Sequence, residues 1–159
     1  MNSAPRFDPF PPQSQRDILS QSARKALRRA ARAEEAGAAP ISGSIDILRD
    51  AGLMLEDGAT APLRTAHALM QIGAANLSVG RLWEGHVNAL RLIRLYGSVA
   101  QAERAKQVIR QGGLLGVWGA DAGNPARFEK GVLKGEKIFA SGLGTVTHAL
   151  VSLNSGPEV

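Results

Sequence analysis

The stretch QGGLLGVWGADAG, residues 111–123, decides the fold. Upstream of it the chain reads as helix after helix. Downstream it reads as short strands and turns. Gly112 ends the helical pattern, and the apolar run Gly113–Trp118 is too short for a helix but suits a buried strand. Residues 119–126, GADAGNPA, are turn-like. Gly131–Ala140 reads as a strand after a Gly-led turn, and the glycines around Lys134, Glu136 and Lys137 suit a tight hairpin. Thr145–Leu153, TVTHALVSL, is rich in β-branched residues and reads as a further strand. About three open strands leave unpaired edges, which natural sheets close or cover. Helices first and strands afterwards predict an α+β fold. It comprises an N-terminal α-helical bundle over 14–112 and, over 113–159, the first strands of an incomplete β-barrel domain.

Working back from Gly112, Ser98-x-x-Gln101 is a capping-box pattern that opens the last helix. The helix before it spans about Leu77–Tyr96. Its apolar stripe is Leu82, Trp83, Val87, Leu90 and Ile93, widened by Leu92 and Tyr96, and Gly97 follows its end. Thr60 and Pro62 mark the start of a helix whose stripe is Leu63, Ala66, Leu69, Met70 and Gly73. Ser44 is placed to cap a short helix, Ile45–Asp50, with Ile45 and Leu48 inward. An Ala/Arg-rich helix from about Ser14 stops at Gly37. Residues 1–13 hold prolines at 5, 9, 11 and 12, which predicts an extended, disordered leader.

Composition narrows the classes. At 159 residues the chain is long enough to bury a core, and 44% hydrophobic against 21% charged residues is a globular balance. Aromatics are 4%, so the core is aliphatic. The absence of cysteine excludes disulfides, thiolate metal sites and thiol catalysis. No apolar run reaches membrane-spanning length, and no apolar signal core stands at the N-terminus; a cytoplasmic setting without membrane partners is expected. The net charge is +5, and residues 1–40 carry seven basic and four acidic side chains of it. Arg24, Lys25, Arg28, Arg29 and Arg32 could form a basic binding module for an acidic partner. With no aromatic or Gly-rich companions, a solvated helix face is the better reading and no nucleic-acid partner is expected.

Chemistry-bearing motifs are few. His67, His86 and His148 lack the spacing of a zinc helix, so no metal is expected. His86 lies beside the apolar stripe and suits a core or interhelical hydrogen bond. No nucleophile elbow, phosphate loop or dinucleotide fingerprint occurs. In Phe139-Ala140-Ser141-Gly142, strand alternation would send Phe139 and Ser141 to one face, where a flat ring could pack on the phenyl and meet the hydroxyl or backbone N–H. From spacing alone, a core phenylalanine and a turn serine are the better reading.

Taken together, NLSVGRLWEGHVNALRLIRLYGS at 76–98, the following helix, GVWGADAG at 116–123 and LKGEKIFASG at 133–142 resemble the acyl-CoA dehydrogenase family. The likeness covers about residues 40–159. It is greatest to the divergent branch whose middle domain opens with Gly-Val-Trp-x-Thr-Glu. The resemblance implies FAD as cofactor, an acyl-CoA-like substrate, α,β-dehydrogenation in fatty acid metabolism, and a homo-oligomer in the complete protein. The family's Trp-x-Thr pattern beside the flavin falls on Phe139-Ala140-Ser141, and its Thr-Glu falls on Ala120-Asp121. Phe139 and Ser141 are therefore the expected flavin contacts, followed by Trp118 and the backbone of Ala120. Ala120 departs from the pattern in lacking a hydroxyl, and Ala122-Gly123 stands where the family has proline. The family's general base, a glutamate in a C-terminal helical domain, matches no residue here, and no motif places Glu84, Glu103 or Glu129 to substitute. The expectation is an N-terminal fragment that binds FAD weakly or not at all and is inactive alone. A flavin monooxygenase of the same architecture is the alternative enzyme.

Overall fold

The computed structural model describes residues 17–153. The expected leader and Ser14 itself lie outside them, but the helix expected from about Ser14 begins only at Gln21, because Ser20 is its cap and residues 17–20 are not helical. Among the described residues five helices come first: α1 (Gln21–Glu35), α2 (Ser42–Asp50), α3 (Pro62–Ala75), α4 (Leu77–Tyr96) and α5 (Val99–Arg110). Four short strands follow: β1 (Leu115–Trp118), β2 (Arg127–Glu129), β3 (Val132–Lys134) and β4 (His148–Val151). The fold is α+β.

Local chemistry sets most helix starts. The Ser20 hydroxyl accepts from the Ala23 N–H at 3.1 Å and opens α1. Asn76 opens α4 by accepting from Val79 N–H at 3.1 Å. The capping box at α5 is complete, with Gln101 N–H donating to Ser98 Oγ and Ser98 N–H donating to Gln101 Oε1. Two expected caps are corrected. Ser44 lies inside α2, because the half-buried Glu34 carboxylate takes its hydroxyl at 2.5 Å. Thr60 does not cap α3. Its flanking residue is Ala61, with no side-chain cap, and Pro62 supplies the first turn.

The core gathers around Trp83, whose indole N–H donates to the Leu53 carbonyl at 3.1 Å, with Leu19, Leu27, Leu48, Leu53, Ile72 and Val79 packed beside it. The α3 stripe is rotated from the expected one. Ala68, Ile72 and Ala75 are buried, while Leu63 and Met70 are exposed. The reason is a close crossing: a Cβ on Gly80 of α4 would stand 3.0 Å from the Gly73 Cα of α3. That approach turns the small residues of α3 inward. Tyr96 also leaves the expected core stripe and is 83% exposed.

The strands form two separate pairs among the described residues. β1 and β4 are parallel, with Leu115 opposite His148 and Trp118 opposite Val151. β2 and β3 form an antiparallel hairpin whose six residues are all exposed. The expected strand Gly131–Ala140 is confined to Val132–Lys134. At Gly135 the chain takes a φ of +115° and presses against Pro125 and Ala126, which ends the ladder. Arg49 reaches from α2 to bond the carbonyls of Ile109 (3.2 Å) and Gly112 (2.9 Å), so the turn into β1 is held by the helical bundle.

Candidate functional site

Trp118 stands at the end of β1, and its indole N–H donates to the Ser141 carbonyl at 3.2 Å. This bond spans 23 residues and pins the 139–142 turn to the first strand. Gly142 (φ +77°) continues the turn so close to Leu82 that a Cβ would meet its Cδ2 at 2.7 Å. Only glycine fits there without a shift. The turn therefore rests on the first turns of α4. Between them lies a groove of about 480 Å³ lined by Leu77, Arg81, Leu82, Ser141, Gly142 and Leu143, among others.

The four expected site residues are brought together unequally. Trp118 and Ser141 are joined directly. Ala120 is exposed, and its carbonyl accepts from Ile138 N–H at 3.0 Å, which sets it beside the same turn. Phe139 has a left-handed φ of 55° and is 83% exposed. Strand alternation thus fails between Phe139 and Ser141, because the chain is turning rather than extended there. The Ser141 N–H is consumed by the Phe139 carbonyl at 2.8 Å, so it cannot serve a ligand. The Ser141 hydroxyl has no hydrogen-bond partner among the described residues.

A clasp that sequence reading missed holds the segment around Ala120. Lys137 Nζ donates to Asp121 Oδ1 (2.6 Å), Ser152 Oγ (3.0 Å) and the Gly119 carbonyl (3.2 Å). The three donors of the ammonium are used. The Lys137 hydrogen bond, then the one from Ala126 N–H, hold the Asp121 carboxyl below the usual range. An Asp paired sixteen residues away with a Lys carries no local pattern, which is why the sequence did not show it.

His86 makes a core hydrogen bond rather than an interhelical one, since its partners lie in a turn and a strand. It is buried; its Nδ1 accepts from Leu115 N–H at 3.0 Å, so Nε2 carries the proton and donates to the Met54 carbonyl at 2.8 Å. Burial pushes the imidazole below its ordinary value of 6.5, the Arg49 charge acts in the same direction, and the Met54 bond opposes both. His86 is thus a neutral strut between α4, the 53–54 turn and β1.

The three glutamates considered as bases are engaged elsewhere. Glu84 is held by Arg81 and Asn88. Glu103 pairs with Lys106 at 2.7 Å, which holds it below the usual carboxylate range. Glu129 lies between Arg127 and Lys134 on the hairpin. No group of metal-ligating side chains occurs among the described residues, and no helix among them is long and apolar enough to cross a membrane. No protein-family model and no curated protein matches the chain.

Proposed function

We propose that this chain supplies the flavin-facing surface of a FAD-dependent oxidoreductase of the acyl-CoA dehydrogenase type. The observation that carries this reading is the free Ser141 hydroxyl at the edge of the groove, on a turn whose Ser141 carbonyl Trp118 holds, with the exposed ring of Phe139 two residues away and outside the groove's lining. A hydroxyl donor next to a flat apolar surface is the pairing that a planar heteroaromatic ring requires. The residues fit the ring portion of the cofactor. A groove of about 480 Å³ is in the range of small-molecule sites but offers nothing for a whole dinucleotide.

When bound, FAD supplies the hydride acceptor. The rest belongs to this chain. Ser141 Oγ–H would donate to the polar edge of the ring, the Ala120 N–H would be a second donor, and Phe139 would pack on the ring from outside the groove. Trp118 is a positioning residue that holds the Ser141 carbonyl and thereby aims the hydroxyl. Leu77, Leu82 and Leu143 would give the ring an apolar wall. Proton removal from an acyl thioester requires a carboxylate at hydrogen-bond range, and Glu84, Glu103 and Glu129 are committed to other partners. The base is therefore not assigned to any of these three, and the chain by itself is expected to show no turnover.

The test is a flavin-fluorescence titration with FAD at high micromolar concentration. Saturable quenching is expected. Ser141→Ala should weaken it about five- to tenfold, the worth of one hydrogen bond. Phe139→Ala should weaken it at least as much. Unchanged affinity in both variants, or no quenching at all, sinks the reading.

A further inference from the structure

Helix α1 carries five basic side chains, and its packing sorts them. The helix lies against α2 and α3, and Leu27, its one large apolar residue, is buried. Arg24 is spent on Asp17, to which it donates at 2.7 Å. Lys25, Arg28, Arg29 and Arg32 are exposed, and none of these four side chains has a hydrogen bond or ion pair among the described residues. They stand at i, i+3, i+4 and i+7, so they share one face, about 10 Å long, on the side away from Leu27.

The carboxylates that could neutralise this stripe are turned elsewhere. Glu34 accepts from Ser44 Oγ at 2.5 Å and from Asn76 Nδ2 at 2.8 Å. Asp17 is held by Arg24. Glu35 is exposed at the end of the stripe and forms no ion pair with Arg32. On other elements most cations are paired, as Arg64 is with Glu56 and Arg94 with Asp57. On sequence alone the charges of α1 read as a solvated face; the missing neutralisation is what the tertiary structure adds.

We propose that this face of α1 binds the phosphate backbone of double-stranded DNA without reading its sequence. Three of the four cations are arginines, whose planar fork fits a phosphate. A DNA duplex carries one negative charge per about 1.7 Å of its axis, a density that four cations within about 10 Å complement. The helix has no aromatic side chain on which a single strand could stack, and contact to a duplex backbone needs none. An anionic membrane fits less well, because Leu27 is buried and α1 has no other large apolar side chain to enter lipid. An acidic protein fits less well for the same lack of an exposed anchor beside the charges. The stripe shares no residue with the groove beside Ser141, so DNA binding does not depend on flavin binding.

The experiment follows a short fluorescein-labelled DNA duplex by anisotropy as the full chain is added at several salt concentrations. With four phosphates contacted, the slope of log K against log salt is expected to be about −3.6, a loss of about a hundredfold between about 50 and 200 mM. Arg28→Gln with Arg29→Gln removes two exposed, unpartnered side chains at little cost in helix propensity. It should reduce the slope by about two and weaken binding at least about tenfold at low salt. Arg91→Gln with Arg104→Gln, the same loss of charge on α4 and α5, should leave the slope unchanged. Glu35→Gln should tighten binding, and two unrelated duplex sequences should bind alike. Equal weakening by the two double variants overturns the proposal, because the net charge of +5 and not the stripe is then responsible. Tighter binding of the single strand, or of an RNA duplex of the same sequence, overturns the assignment to double-stranded DNA. Binding to vesicles containing phosphatidylserine, or to poly-glutamate, with none to DNA overturns it in favour of a membrane or an acidic protein.

Discussion

His86 concentrates more structural consequence than any other titratable side chain described. Both of its ring nitrogens are committed, one to a carbonyl and one to a backbone N–H. Its protonation in the folded state is disfavoured, whereas an unfolded chain protonates it near 6.5. Between its folded value and 6.5 the unfolded state holds more protons. Stability is therefore full above 6.5, falls as the pH drops through 6.5, and levels off below the folded value. Urea denaturation is expected to show a midpoint that falls from about pH 7.5 to about pH 5.5. His86→Gln should flatten that part of the profile while lowering stability throughout. A profile unchanged by His86→Gln would assign the pH dependence to another group. The role of His86 as a hydrogen-bonded core residue was legible from its place beside the apolar stripe. Its partners were not, since Met54 and Leu115 lie about thirty residues away on opposite sides in sequence.

Helices α3 and α4 show how position decides what a glycine does. Gly85 lies in α4 with only the far end of Arg81 near its missing Cβ, at 3.9 Å. Gly85→Ala should therefore stabilise the protein by about 0.5–1 kcal/mol, the helix-propensity gain of alanine. Gly80 lies in the same helix but faces the Gly73 backbone at 3.0 Å. Gly80→Leu should destabilise by about 1–3 kcal/mol through forced separation of the two helices. Thermal denaturation of both variants checks the pair, and a shift in the same direction for both would contradict the crossing geometry. Ser98→Ala, which removes the α5 capping box, should cost about 1 kcal/mol in the same assay. The capping box and the extent of α4 could be read directly, because both are set within a few residues. The rotated α3 stripe could not, because small residues become core only when a neighbouring helix approaches them.

Across the whole molecule, order should not divide at residue 113. β1 is sealed against α4 by His86, its preceding turn is held by Arg49, and the Leu114 N–H donates to Thr147 Oγ1 at 3.0 Å. The β2–β3 hairpin, fully exposed, has none of these supports. Amide exchange should therefore be slow at Leu115 and in the middle of α4 and fast across residues 127–134. Equal protection of Leu115 and the hairpin would show that the helices do not hold β1. Lys137→Met should speed exchange at Ala122 and Ile138, because the clasp that pairs their segments is lost.

Periodicity and punctuation in the sequence were enough for the helical series, the handover after Gly112, the start and end of α4, and the α+β class. These depend on interactions within one or two turns, where residue type determines backbone geometry. The tertiary structure alone decided that Phe139 turns outward, that Ser141 keeps a free hydroxyl while losing its N–H, and that Trp118 meets the Ser141 carbonyl. It also decided that a histidine takes the outward Leu115 N–H of β1. Those outcomes depend on which distant segments compete for the same space and the same hydrogen bonds, and no local pattern of residues encodes that competition.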